Sequence, residues 1–338
     1  MQELRNRVVV ITGASSGIGQ ALALAFARQQ ARLVLAARRQ GALEAVARLC
    51  TRNGAGDAIV VPTDVADATQ TAALAEAAVR AFGGIGIWAN IAGVTAAGPF
   101  ESTPPHTYTR LIAVNLIGVM NGSHAALTHM LGLGGGKGTI INMASLAGRI
   151  PHPFMAAYSA SKFGVAGFTD ALRHEVLARS AVQVCGVYPA FVDTPALRHA
   201  ANHTGRLLRP MPPILDPQAV AEAVLRLAQH PQRALHLGAL HATVPAFSLA
   251  PELSGRALGR MALNILLHTG PRARATEGSV PVAMAEGTGM RHGWQAVEHR
   301  LARLLGLGAL VLGAGGASLV LAQQARRRRT AQPTTRRW

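Results

Sequence analysis

Short runs rich in β-branched residues recur between Val8 and Tyr188, each followed by a longer alanine- and leucine-rich stretch of helical period. This alternation limits the available folds more than any other feature. The runs are Val8–Thr12, Arg32–Ala36, Asp57–Val61, Ile85–Ile91, Gly138–Met143 and Val182–Tyr188. Strands separated by helices cannot pair through tight hairpins. The crossovers make neighbouring strands parallel, and a parallel sheet needs helices on both faces. The expected fold class is α/β, a doubly wound parallel sheet in a single main domain, with a C-terminal helical extension.

Helix signals fall where that scheme needs them. Asp67 can cap a helix running through Ala72 to Phe82, and Asp216 followed by Pro217 reads as an N-cap with proline in the first turn. Gly134-Gly135-Gly136 marks a turn before the fifth strand. The alternation stops near residue 246, and helical periodicity returns only around Glu252 to Leu267. The chain divides into a main domain over 1–245, a linker and helical extension over 246–300, an apolar segment over 301–323 and a basic tail over 324–338. Cys50 and Cys185 lie far apart in apolar periodic segments, so neither a disulfide framework nor a cysteine metal site is expected. No basic-then-apolar leader precedes Val8, so export is not expected.

The formal net charge is +17. Its arginines are spread along the chain except at Arg326 to Arg329, and no aromatic residues alternate with them as stacking platforms would. Nucleic acid is not an expected partner.

Thr12-Gly13-Ala-Ser15-Ser16-Gly17-Ile18-Gly19 follows the first strand and opens a helix. Glycines permit a tight turn and close backbone approach there, and the free N–H groups of the helix N-terminus suit a pyrophosphate. This is the dinucleotide arrangement of a Rossmann-type fold. The second strand ends Ala36-Ala37-Arg38-Arg39, where an NAD site would carry an acidic residue for the ribose 2′-hydroxyl. An acid would repel a 2′-phosphate and arginine can grip one, so NADP(H) is favoured over NAD(H). Two cations opposing a helix dipole also point to an anion beside them.

Lys162 is one of only two lysines, the other being Lys137, in a chain otherwise served by arginine. It lies four residues after Tyr158, which places both side chains on one helix face. Ser145 follows the fifth strand, at the sheet edge where ligands gather in such folds. Asn115 sits in the preceding helix.

With Thr12–Gly19, Asp64, Asn90-Ile-Ala92-Gly93, Asn115, Ser145, Tyr158, Lys162 and Pro189 through Thr194 in this order and spacing, residues 5 to 240 resemble the short-chain dehydrogenase/reductase family. Ile91 stands where the family usually has a second asparagine, and Ala190 where a glycine is usual. The resemblance implies that Tyr158 is the general acid in carbonyl reduction and the base in alcohol oxidation. A tyrosine ordinarily titrates near 10, so work at neutral pH asks for a shift of roughly 3 units. Lys162 is implied to lower it and to donate to the nicotinamide ribose, Ser145 to bind the substrate oxygen, and Asn115 to hold a water that links Lys162 to solvent. Cofactor contacts implied by the resemblance fall on Gly13, Ser15, Ser16, Gly17, Ile18, Gly19, Arg38, Arg39, Asp64, Val65, Asn90, Ala92, Gly93, Tyr158, Lys162, Pro189, Val192 and Thr194. Asp64 would meet the adenine, Val192 the carboxamide and Thr194 the phosphates.

The expected function is NADP(H)-dependent interconversion of a carbonyl and an alcohol on an apolar small molecule. Leu197, Leu207, Leu208, Met211, Ile214 and Leu215 supply an apolar cover after Thr194. A membrane-held, non-catalytic NADP-binding sensor is the alternative, which the intact Asn-Ser-Tyr-Lys set disfavours. His199 and His203 have helical metal-pair spacing but no further ligand motif, so they read as a surface segment and no metal is expected. A homo-oligomer is compatible with the sequence.

Leu304 to Ala322 contains nineteen residues without a charge, about 28 Å as a helix, close to bilayer thickness. It reads as a membrane anchor that holds the enzyme at the cytoplasmic face of a bacterial inner membrane. Arg300 and Arg303 before it and Arg326 to Arg329 after it leave two alternatives, a crossing helix and a segment that dips in and returns at Gly313-Ala-Gly-Gly316. Burial within protein is a third.

Overall fold

A computed structural model of the chain describes residues 3–132, 135–268, 270–286 and 288–295. The apolar segment Leu304–Ala322 and the basic tail lie outside the described residues.

In chain order the elements are β1 (Val8–Thr12), α1 (Gly17–Arg28), β2 (Arg32–Ala37), α2 (Gln40–Arg52), β3 (Asp57–Pro62), α3 (Ala68–Phe82), β4 (Ile87–Asn90) and β5 (Ala96–Ala97). Next come α4 (Pro105–Ile112), α5 (Gly118–Leu131), β6 (Lys137–Met143), α6 (Ala156–Leu177), β7 (Ala181–Pro189) and β8 (Ala201–Asn202). The last are α7 (Pro217–Gln229), β9 (Ala234–Leu237), α8 (Val244–Leu249) and α9 (Pro251–Ala262). The main sheet has seven strands in the order β3-β2-β1-β4-β6-β7-β9, every pairing parallel. The chain winds outward from β1 first on one side and then on the other, which is the doubly wound topology expected. Strand β9, short and only half-buried, carries too weak a pattern to stand out in the sequence.

Because successive strand residues point to opposite faces, the near-continuous apolar runs feed two cores. Val9, Ile11, Leu33, Leu35, Ile141 and Val187 pack against α1, α2 and α7 on one face. Val8, Val10, Val34, Trp88, Ile140 and Val184 pack against α3, α5 and α6 on the other. Asp67 accepts from the Thr69 and Gln70 amides to cap α3, and Asp216 accepts from Gln218 to cap α7. Gly135 and Gly136 both adopt positive φ at the turn before β6.

Helices α4 and α5 join through a wider π turn over Ala113–Ile117. Pro105–Leu131 is long and apolar enough to cross a membrane by length and composition, but half of its most apolar stretch is buried inside the domain. It is a core element. The periodicity around Glu252 becomes α9, and two isolated bridges, Asn202 to Thr276 and Arg206 to Arg272, tie the segment after it back to the domain.

Candidate active site

The glycine loop leaves the C-terminal end of β1 at the centre of the sheet. Gly13 has φ +70°, and a Cβ there would come within 2.7 Å of the Ala92 backbone. A Cβ at Gly19 would fall 2.2 Å from the Gly13 carbonyl oxygen. Close approach therefore requires glycine at both positions. The Thr12 hydroxyl accepts from the Ile91 and Ala92 amides at 3.1 and 3.3 Å, which fastens the loop after β4 to the glycine loop. Ser15, Ser16, Gly17, Ile18 and Gly19 line one wall of an open cleft whose other walls include Arg38, Arg39, Asp64, Val65, Ala92, Gly93 and Thr194. A cradle of glycine backbone, two serines and two arginines fits a phosphate-rich dinucleotide.

At the far end of the cleft Asp64 forms an ion pair with Arg110 from α4. Burial lowers the Arg38 guanidinium from its ordinary value, with the Asp64 carboxylate opposing and Arg110 and Arg39 adding to the fall. Burial also lowers Arg39. Both guanidinium groups also meet backbone. Arg38 donates to the carbonyls of Ser279 and Pro281, and Arg39 to that of Met284 and to the Ser15 hydroxyl.

Asn90 does not reach the cleft. Its side chain accepts from Trp88 Nε1 at 2.8 Å and donates to Asn142 Oδ1 at 2.9 Å and Ser123 Oγ at 3.1 Å. It locks β4 to β6 and α5. Asn115 is likewise spent on structure. Its Oδ1 accepts from the Val94 amide at 2.8 Å, and its Nδ2 donates to the Val94 carbonyl at 2.9 Å and to Ser161 at 3.1 Å. Its amide joins the loop after β4 to α6 and so positions Gly93 and Val94.

Ser145, Tyr158 and Lys162 share a second cleft with Pro189, Val192 and Thr194. Ile18, Ile91, Gly93 and Met143 line both clefts, so the two are continuous. Ser145 sits just beyond β6 and caps the following 3-10 turn by accepting from the Ala147 amide at 3.1 Å. Lys162, only 4% exposed, donates from Nζ to the Met143 carbonyl at 2.9 Å. Nζ lies 5.8 Å from the centre of the Tyr158 ring. Burial pulls Lys162 down to about 8. Burial pushes the Tyr158 phenol up, and a hydrogen bond with Ser145 opposes the rise. Burial is the larger of these two causes. Desolvation wins, and the phenol keeps its proton at neutral pH.

Beyond Tyr158 the second cleft opens into an apolar annex through His152, Met155, Phe191 and Leu197, which line both. Leu197, Leu208 and Met211 of the expected cover do line it, whereas Leu207 is 47% exposed and faces away. Leu258, Met261 and Ala262 of α9, which sequence reasoning left without a role, form a further wall beside Ala97, Pro153 and Arg209. Burial lowers His152, and its Nδ1 lies 2.8 Å from the Ile150 carbonyl.

His199 and His203 do not share a helix face, because a short turn and β8 intervene. His203 is not a surface residue either: its side chain is 9% exposed and lies 3.4 Å from Glu277, while His199 Nε2 lies 2.9 Å from the Glu286 carbonyl.

A family model described as short chain dehydrogenase matches residues 7–204. The chain is 33% identical over 273 residues, 80% of its own length and 75% of the relative's, to the uncharacterized oxidoreductase YxnA of Bacillus subtilis. It is 39% identical over 209 residues, 61% of its length and 74% of the relative's, to the putative oxidoreductase SadH of Mycobacterium tuberculosis. A crystal structure of a short chain dehydrogenase/reductase from Burkholderia phymatum in complex with NAD superposes with a TM-score of 0.66 at 30% identity, covering 75% of this chain and 97% of that one. With this match over more than half of its length and these relatives, the chain belongs to the short-chain dehydrogenase family, as a nicotinamide-dependent oxidoreductase of a small molecule.

Proposed function

We propose that the protein interconverts a carbonyl and an alcohol on an apolar small molecule, with NADP(H) as hydride carrier and Tyr158 as general acid and base. One observation carries this reading: Ser145, Tyr158 and Lys162 line the stretch of cleft between the dinucleotide cleft and the apolar annex. A bound nicotinamide supplies or accepts the hydride. Ser145 holds the substrate oxygen, Tyr158 gives its proton to that oxygen in reduction and takes it back in oxidation, and Lys162 orients the ribose. The annex removes the rest of the substrate from water, which favours an aldehyde or ketone with an extended hydrocarbon part. Purified protein with NADPH, offered aldehydes, ketones and quinones, is expected to oxidise the cofactor fastest with long-chain or bulky apolar carbonyls. Turnover of none of them overturns the reading.

Arg38 supports NADP(H) over NAD(H), since a guanidinium can pair with a 2′-phosphate through charge-assisted bonds. Arg38→Asp is expected to weaken NADPH by about two orders of magnitude, as expected for losing a charged contact and gaining a like charge. NADH should change far less. Binding constants for both cofactors check it, and an unchanged ratio would place the 2′-phosphate elsewhere.

The nineteen uncharged residues from Leu304 to Ala322 support placement at the cytoplasmic face of a membrane. Full-length protein is expected to pellet with membranes and resist salt and alkaline washing. Cut before residue 301, it should be released and remain active. Recovery of the full chain in the soluble fraction counts against the anchor.

A further inference from the structure

The segment that follows the last bridge to the domain runs across the dinucleotide cleft and occupies its donors. The Ser279 carbonyl accepts from Arg38 at 2.6 Å and the Pro281 carbonyl from the same guanidinium at 3.2 Å. The Met284 carbonyl accepts from Arg39 at 2.7 Å. The Gly289 carbonyl accepts from the Gly17 amide, at the start of α1, at 2.8 Å. These are the groups that the proposed function assigns to the 2′-phosphate and that the glycine loop offers to the pyrophosphate.

The same segment is pinned at both ends and thin between them. At its start Glu277 accepts from Thr107 at 2.5 Å, and the Ser279 amide donates to the His199 carbonyl at 2.8 Å. Val280, 1% exposed, plugs the core beside Val65, Val94 and Val114. Gly278 has φ +53°, and a Cβ there would meet the His199 carbonyl oxygen at 2.3 Å, so the entry is tightly seated. At its end one Asp193 carboxylate oxygen accepts from the amides of His292, Gly293 and Trp294, and Arg291 pairs with Asp216. Between these anchors Val282 is 74% exposed and Ala283 lines the cleft.

We propose that Glu277–Trp294 is a strap that competes with the dinucleotide for Arg38, Arg39 and the Gly17 amide, so that a dinucleotide binds only as the middle of the strap lifts and its affinity is set in part by how firmly the strap is held. Neutral carbonyls satisfy the guanidinium groups less strongly than a dianionic phosphate does. A cofactor with a 2′-phosphate therefore offsets the lost carbonyl contacts, whereas one with a 2′-hydroxyl does not. The cost of lifting is common to both cofactors, so the strap lowers the affinity for each by the same factor and leaves their ratio to the 2′-phosphate contact itself. The inference rests on the reading of Arg38 and Arg39 as the 2′-phosphate site.

Hydrogen exchange of the full-length protein, read on peptides spanning 279–291 with and without saturating NADPH, tests it directly. Exchange there is expected to rise several-fold on binding. Protection of these peptides, or no change, overturns the strap and makes the segment a fixed wall. Arg291→Ala, which loosens the far anchor and touches no cofactor group, is expected to tighten NADH by about tenfold, the scale of one net bond to a charged group. NADPH should tighten by the same factor, so the preference is unchanged. An unchanged NADH constant in a folded variant also counts against the proposal. If neither protein prefers NADPH, the 2′-phosphate reading itself fails. If NADPH is preferred but the strap is protected, only the strap fails.

Discussion

Tyr158→Phe is expected to lower carbonyl reduction by about three orders of magnitude, the middle of the range for a lost general acid, while NADPH binding stays within about twofold. The ring sits on helix α6 and packs against the small core that includes Val65, Val94 and Val114. Phenylalanine keeps that packing, so the fold is not at issue. What disappears is the hydroxyl that shares the cleft with Ser145. Because burial holds the phenol above its ordinary value of 10, it stays protonated throughout the neutral range. Loss of this proton should not limit reduction between pH 6 and about 8. Oxidation, which needs the phenolate, should climb as pH rises. Initial rates in both directions across that range, with Ser145→Ala alongside, read the effect. Residual reduction within tenfold of wild type in Tyr158→Phe would remove the tyrosine from the chemistry.

The contrast among the site residues shows what a sequence can carry. The glycine loop was legible because its requirement is steric and local: Gly13 and Gly19 are glycines since a Cβ would strike neighbouring backbone. Tyr158 and Lys162 were legible because four residues of helix place them together. Asn90 and Asn115 occupy equally regular positions in the motif order, yet their amides face into the fold and bind Asn142, Ser123 and Val94. Nothing in one dimension separates an amide aimed at a ligand from one aimed at its own core. The strap was illegible for a different reason. It contacts the arginines through backbone carbonyls, so no side-chain pattern marks it, and the contacts join Arg38 to residues more than 240 positions away. Asp193 is the one side chain whose position inside the Pro189–Thr194 motif could have drawn notice, since a buried carboxylate must find donors. The annex wall from α9 is similar: its apolar period was visible, but what it covers is a tertiary fact.

Lys162→Arg is expected to cost on the order of 100-fold or more in turnover although the charge is retained. Lys162 is 4% exposed, with Nζ held by the Met143 carbonyl at 2.9 Å and 5.8 Å from the centre of the Tyr158 ring. A planar guanidinium is longer and wider than an ammonium, so it must displace either the loop after β4 or the Tyr158 ring, and displacements near 1 Å at a reacting centre cost about that much. The pH profile separates this account from simple misfolding. Burial sets Lys162 near 8, so the ammonium is present below that value and is lost as pH rises through it. Wild-type reduction should therefore decline above about pH 8. The residual activity of the arginine variant should lack that limb, since a guanidinium stays protonated there. Lys137→Arg, at the exposed start of β6, supplies the comparison and should leave activity unchanged. A Lys162→Arg enzyme with wild-type turnover and the same alkaline limb would mean that the limb belongs to another group and that a positive charge alone suffices. In a chain that uses arginine almost everywhere else, the lysine at this position would then have no chemical reason.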